Sequence, residues 1–289
     1  MARVKEGWWE REEVERVTLD WVKTNCKITD RELELLKIIN ERKLVRRDML
    51  EIISPSYREL GKNRTRIINR SIKKLFKNMC IDKTHEKQSL GEGNTPAILS
   101  VDKAGSIILG VKHKPRIKKV KKTVNDWHYF IRQLPINYRH INGINRLEVE
   151  TILTLNEIGG EIIEWVHERP YELHYGQERL TVIPDVVAKL KFNTEHPKEF
   201  YAYIEFDTGS ENVGYKEPPI IRDKIIKYKK YKLSKLWEGE YPHFPIILFV
   251  TEDYKRIEFF NRKCEENRIS GLGVYYRNYS DVIKKIATM

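Results

Sequence analysis

The first regular pattern along the chain begins at Thr29. Thr29 and Glu32 have the spacing of a capping box, and Leu33, Leu35, Leu36, Ile38 and Ile39 follow at the steps of a helix face. A second short helix is expected over 45–53, stopped by Ser54-Pro55. A third starts near Asn63, after Gly61, and runs to about Met79 on the stripe Ile68, Ile72, Leu75, Phe76 and Met79. The segments 81–87 and 97–101, joined through Gly-Glu-Gly-Asn at 91–94, read as a β-hairpin, and 102–109 as a short closing helix. Three helices followed by a hairpin predict a winged helix-turn-helix. Residues 1–27, with Trp8, Trp9 and Trp21, read as a helical lead-in docked on another element.

Beyond Asn125 helices and strands alternate. A helix is expected over 141–158, ended by Gly159-Gly160, then strands at 161–167, 180–191 and 200–208. A loop with Pro218-Pro219 leads to a helix over 222–236, a strongly apolar strand at 244–251, a helix over 254–267, a strand at 273–276 and a last helix from Asp281. The order is αβββαβ with additions at the end. The expected fold is therefore α+β to α/β in two domains. A winged helix spans 28–110, a linker 111–124, and a domain with a mixed sheet 125–289. A chain of 289 residues has room for about two domains.

Charge sharpens the first half. The net charge of +12 favours a polyanionic partner. Between Lys62 and Met79 there is no acidic residue, and the side opposite the apolar stripe holds Arg66, Arg70, Lys73, Lys74 and Lys77. In a winged helix this third helix enters the major groove. Asn63, Arg64, Thr65, Arg66 and Asn69 would then face base edges, Arg70 would add to sequence preference, and the later Lys73 and Lys74 with the wing would hold phosphates. Residues 111–122 hold seven lysines and arginines and no acid, so Lys118, Lys119, Lys121 and Lys122 are expected to track the phosphate backbone. The plainer alternative is that both stretches are solvated faces.

The second half carries the candidate chemistry. Strand period puts Tyr201, Tyr203, Glu205 and Asp207 on one face and Ala202, Ile204 and Phe206 on the other. One face is expected in the core while the other presents two carboxylates. Asp185 stands alone among apolar residues on the preceding strand, which adjacent pairing brings close to Glu205. Clustered carboxylates repel unless a cation lies between them, and hard oxygen donors suit Mg2+ or Mn2+. Asp185, Glu205 and Asp207 are the expected ligands. Glu148 lies on the apolar stripe of its helix and needs a partner there. Lys224 shares a helix face with Ile221, Tyr228 and Tyr231, from which it reaches an attacking water or a phosphate.

Pro184-Asp185 followed by Glu205-Phe206-Asp207 on such a core resembles the PD-(D/E)xK nuclease superfamily, with aspartate where lysine is usual. Lys224 on the next helix matches the migrated lysine of some members. Over residues 28 to 280 the chain resembles the replication-relaxation family of plasmids and conjugative elements. The resemblance rests on Leu99-Ser100 with Gly105, then Trp165 and Glu168, Pro184-Asp185, Glu205, Asp207 and Gly209, and Lys224 with Tyr228. It implies a role in plasmid replication, nicking or mobilisation and a nuclease-like second domain. Implied partners are double-stranded DNA at a plasmid or mobile-element origin, other replication or conjugation proteins, and a second copy of the chain.

Other classes lose support. No run approaches the roughly 20 apolar residues of a membrane helix, and the start lacks a signal peptide's apolar core, so the expected location is the cytoplasm. Three scattered cysteines suggest neither a disulfide framework nor a zinc cage. GxxxxGK[ST] does not occur, which argues against an ATP-driven helicase. No tyrosine stands out beside a histidine cluster, as a tyrosine relaxase needs. Two readings remain: a metal-dependent DNA endonuclease or nickase targeted by a winged helix, or a non-catalytic DNA-binding regulator or origin or oriT accessory factor on a degenerate nuclease fold.

Overall fold

The computed structural model describes residues 11, 14–86, 95–124, 127–193, 197–209 and 219–288. They divide into two compact units, 1–142 and 143–289. Among the described residues there are ten α-helices, and no helix is long and apolar enough to cross a membrane.

The first unit opens with α1 (Leu19–Asn25) and α2 (Asp30–Arg42), the latter started by the expected Thr29–Glu32 capping box. Only this short α1 represents the lead-in helix, and Trp8 and Trp9 lie outside the described residues. The segment read as one helix over 45–53 begins instead as a strand, β1 (Val45–Arg46), before α3 (Arg47–Ile53). Pro55 then starts α4 (Pro55–Arg58), because a proline at the first helical position loses no hydrogen bond. After a 3-10 turn comes α5 (Arg64–Lys77), whose Ile68, Ile72, Leu75 and Phe76 are buried. β2 (Ile81–Thr84) and β3 (Ile98–Val101) pair antiparallel, and β1 joins β3 on its far side. The turn expected at 91–94 lies outside the described residues. α6 (Lys103–Leu109) packs so closely that a Cβ on Gly105 would stand 2.1 Å from the Cys80 carbonyl oxygen.

The stretch read as a linker differs from expectation. Its second half forms β4 (Lys118–Val124), paired with β5 (Trp127–Gln133) in a two-stranded ribbon. β-branched Val120, Thr123 and Val124 among the lysines favour a strand, whereas charge alone had suggested a linker. Arg132 of β5 bonds Asp82 of β2 at 3.1 Å, which ties the ribbon into the first unit.

α7 (Tyr138–Ile158) runs from the first unit into the second. Then follow β6 (Gly160–His167), β7 (Tyr171–Tyr175), β8 (Glu178–Val182), β9 (Val186–Phe192) and β10 (Lys198–Asp207). The chain ends with α8 (Pro219–Ser234), β11 (Ile246–Thr251), α9 (Tyr254–Asn267), β12 (Gly271–Tyr275) and α10 (Tyr279–Thr288). The single strand expected over 180–191 is broken at Ile183-Pro184-Asp185, since proline cannot donate to a ladder. Its first part pairs with β7 in a separate hairpin.

The main sheet is mixed, in the order β12-β11-β10-β9-β6. β6–β9 and β9–β10 pair antiparallel, while β10–β11 and β11–β12 pair parallel. One face buries Ala202, Ile204 and Phe206 with Ile144 and Leu147 of α7 and Ile283 of α10. The other buries Tyr201 and Tyr203 with Ile225, Tyr228 and Tyr231 of α8 and Phe259 and Phe260 of α9. Both faces of β10 are therefore covered, and the open carboxylate face expected from strand period is roofed by α8.

Candidate functional site

Three connections place the acids at one end of the main sheet. β10 runs toward that end and β9 runs away from it, so Asp185, just before β9, lies beside the last residues of β10. Asp185 Oδ2 accepts the Phe206 N–H at 2.8 Å, and its carbonyl accepts the Glu168 N–H at 3.1 Å from the end of β6. The break before β9 thus turns the Asp185 side chain across the strand end. Gly143 of α7 permits the close packing of Phe206: a Cβ there would fall 1.9 Å from its ring.

Glu205 is 3% exposed on the face under α8. Its carboxylate accepts a hydrogen bond from the Tyr228 hydroxyl at 2.6 Å and pairs with the Lys224 ammonium. Lys224 Nζ is also 3.7 Å from Asp185 Oδ1. Lys224 and Tyr228, one helical turn apart, therefore grip one carboxylate from above while the lysine bridges to the second. Burial pushes the Glu205 carboxyl up to about 7, the Asp185 charge adds to the rise, and Lys224 and Tyr228 oppose it. Burial pulls the Lys224 ammonium down, but the Glu205 and Asp185 charges more than offset that and hold it above its ordinary value. Burial and the neighbouring Glu205 charge raise the Tyr228 hydroxyl well above the ordinary phenol range.

The other expected members have partners of their own. Asp207 is engaged by Arg256 of α9 at 2.8 and 2.9 Å, by the Thr251 hydroxyl at 3.1 Å and by the Gly209 N–H at 3.2 Å. Glu148 is buried on α7 with its Oε2 3.8 Å from His167 Nε2. Among the described residues no three histidine, cysteine or acidic side chains stand close enough to hold a metal ion. The expected ligand set of Asp185, Glu205 and Asp207 thus resolves into a pair, Asp185 and Glu205, plus an acid locked to an arginine. Arg256, Thr251 and His167 were missed from the sequence. Arg256 had a signal, because it shares the apolar face of α9 with Phe259 and Phe260.

In the first unit α5 sorts its own polar residues. Arg66, Arg70, Lys73 and Lys77 are exposed at successive steps of four, three and four, forming one cationic stripe. Asn63 is exposed, and its Oδ1 lies 3.5 Å from an Arg66 nitrogen; Asn69 is half-buried. Three residues expected to face DNA also make internal contacts. Arg64 and Thr65 reach the buried Glu51 at 3.3 and 3.2 Å, and Lys74 reaches the buried Glu32 at 2.6 Å. These pairs hold α5 against α2 and α3. Lys118 and Lys119 are exposed at the start of β4, whereas Lys121 and Lys122 are placed only as strand positions opposite Phe130 and Tyr129.

Fold and site define a mixed α/β protein with a buried acid–lysine cluster at one end of a mixed sheet. The chain belongs to the replication-relaxation family, which it matches over residues 35–247, well over half its length. The match runs from α2 into β11 and so includes Asp185, Glu205, Asp207, Lys224 and Tyr228. Membership suggests a role in plasmid replication or relaxation. No curated protein and no solved structure matches the chain.

Proposed function

We propose that this is a DNA-binding protein of plasmid replication, relaxation or mobilisation whose second unit is a divalent-metal-dependent DNA endonuclease, acting as a nickase. The first unit is read as a winged helix, with α5 as recognition helix, and the second as a restriction-endonuclease-like core. The observation that carries the reading is Lys224. It comes from the helix after β10 and lies against two carboxylates, Glu205 on β10 and Asp185 just before β9, the arrangement a migrated nuclease lysine requires. The αβββαβ order and the mixed sheet support it.

The donor chemistry fits Mg2+ or Mn2+, since Asp185 and Glu205 offer hard carboxylate oxygens and Glu205 is buried where a cation would favour its ionised form. A metal bound there supplies Lewis-acid activation of water and stabilises the leaving oxygen. The chain's own residues do the rest. Tyr228 holds Glu205 Oε1 in place, leaving the other oxygen to Lys224. Once released from Glu205, the Lys224 ammonium is within side-chain reach of a phosphodiester at the strand end and stabilises its developing charge.

One observation favours the second reading, a non-catalytic origin or oriT accessory factor. Lys224 already neutralises the carboxylates, and Asp207 is committed to Arg256. The deciding experiment is nicking of supercoiled plasmid carrying the cognate origin, with Mg2+ or Mn2+. Asp185→Asn, Glu205→Gln and Lys224→Ala should each abolish nicking while duplex binding survives. Asp207→Ala should keep substantial nicking but lose stability by about 3 kcal/mol, because Arg256 is left buried without its main partner. Absence of cleavage by the wild type under these conditions would establish the accessory role.

A further inference from the structure

The end of the sheet that carries Asp185 and Glu205 also carries a stacked aromatic pair, exposed Tyr254 on half-buried Tyr275, that neither the acids nor the two core clusters include. Register places it. Asp207 pairs with Thr251 on β11, and Thr251 pairs with Tyr275 on β12, so the three residues form one row across the strand ends. With strands about 4.8 Å apart, the Tyr275 backbone lies about 10 Å from that of Asp207. Tyr254, the first residue of α9, stacks on Tyr275 with ring centroids 4.2 Å apart and planes inclined by 20°.

Packing does not account for this pair. Tyr254 is 59% exposed, the most exposed of the described aromatic side chains, and belongs to neither core cluster of the second unit. Two parallel rings consume one face each, which leaves the outer face of Tyr254 open to solvent. A flat, exposed ring held rigid by a second ring behind it is the form of a base-stacking platform, because every nucleobase has a π-face and stacking needs no particular sequence. The charge around the pair is mixed, with Glu252 and Asp253 directly before Tyr254 and two exposed cations beside it. Lys255 follows Tyr254 directly, Arg277 lies two residues beyond Tyr275, and both are exposed.

We propose that Tyr254 and Tyr275 form a stacking platform for an unpaired nucleobase, and that the DNA taken at this end of the sheet is single-stranded or locally opened. A base inside a duplex is already stacked on both sides and cannot lie on Tyr254, whereas a displaced or flipped base can. The two units then read different forms of DNA: the α5 stripe takes the duplex, and the strand ends take the opened strand. The proposal rests on the reading that the acid–lysine cluster meets DNA, and it names the substrate class of that site.

The test is fluorescence anisotropy with the full chain, using a labelled oligothymidylate of about twenty nucleotides and a duplex of equal length. Tyr254→Ala should weaken oligothymidylate binding about 5- to 100-fold, the loss expected for one stacked base, and leave duplex binding within about twofold. Tyr254→Phe, which keeps the ring, should bind both as the wild type does. Unchanged duplex affinity also reports that the variants are folded. Wild-type affinity of Tyr254→Ala for oligothymidylate would overturn the platform, as would an equal loss on both probes. A wild type that nicks nothing but shows the Tyr254 dependence would support the platform and overturn the nuclease reading alone.

Discussion

A charged group sealed in a core persists only where its surroundings answer its charge. Glu205 is answered by Lys224 and Tyr228, Asp207 by Arg256 and Thr251, and Glu51 by Arg47 and Arg64. Lys83 on β2 lies against an aromatic ring. It is 4% exposed, its ammonium lies 4.3 Å from the centroid of the Phe76 ring, and Arg11 and Arg132 also approach that ring. Burial, and then the charges of Arg132, Lys73 and Arg11, pull its ammonium down to about 8. Between about 8 and the ordinary 10.5 the unfolded chain binds more protons than the folded one, so Lys83 makes stability rise with pH across that window. Below about 8 the folded state bears the full cost of a buried charge. Relative to a Lys83→Met variant, the wild type should gain on the order of 1–3 kcal/mol between pH 7.5 and 10.5. Denaturant titrations at several pH values would measure it, and a constant difference between the two proteins would refute it.

Among the elements, α7 shows how closely packing and site are linked. It approaches β10 at Gly143, where only a hydrogen leaves room for the Phe206 ring. Phe206 separates Glu205 from Asp207 and donates its N–H to Asp185, so a shift of this ring disturbs the acid pair directly. Gly143→Ala should destabilise the chain by about 1–3 kcal/mol, and Phe206→Leu in the same background should recover part of that loss. Thermal unfolding of the single and double variants gives the comparison, and additive losses would show that the two positions are not in conflict. The helices were the most legible elements, and α2 and α9 begin within a residue of their expected starts, because each has a capping residue and a helical apolar stripe. Strands that depend on distant partners were less legible. β1 is two residues long and exists only because β3 offers it an edge. The β4–β5 ribbon was hidden under its charge, and β7 lies in a polar stretch between two expected strands.

At the scale of the whole molecule, the net charge of +12 is not spread as a uniform coat. Arg66, Arg70, Lys73 and Lys77 align along one exposed face of α5, while Arg64 and Lys74 on the same helix are spent on internal carboxylates. Composition could not separate these two groups, because both are basic residues on the polar side of one helix and only burial of Glu32 and Glu51 distinguishes them. The same holds for the acids: strand period put Glu205 and Asp207 on one face, but the arginine that claims Asp207 comes from a helix about fifty residues later. Lys224, by contrast, was legible, since one helix face carries it with Tyr228. Reversing Arg70, Lys73 and Lys77 to glutamate should weaken duplex binding and lower the slope of log affinity against log salt by about 0.9 for each lost phosphate contact. Matching changes at Arg64 and Lys74 should instead lower stability. A salt series on both sets separates them, and equal slopes would remove α5 from the interface.

The double cover of the main sheet has a consequence for how such a protein can change over time. Helices occupy both broad faces of β10, so whatever meets Glu205 must arrive end-on, past the connections that follow Thr251 and Tyr275. Those connections are the threshold of the site, and Glu252 and Arg277 are exposed on them. Insertions and substitutions there can recast what is admitted while the sheet beneath keeps its register, so a lineage can exchange targets without having to refold.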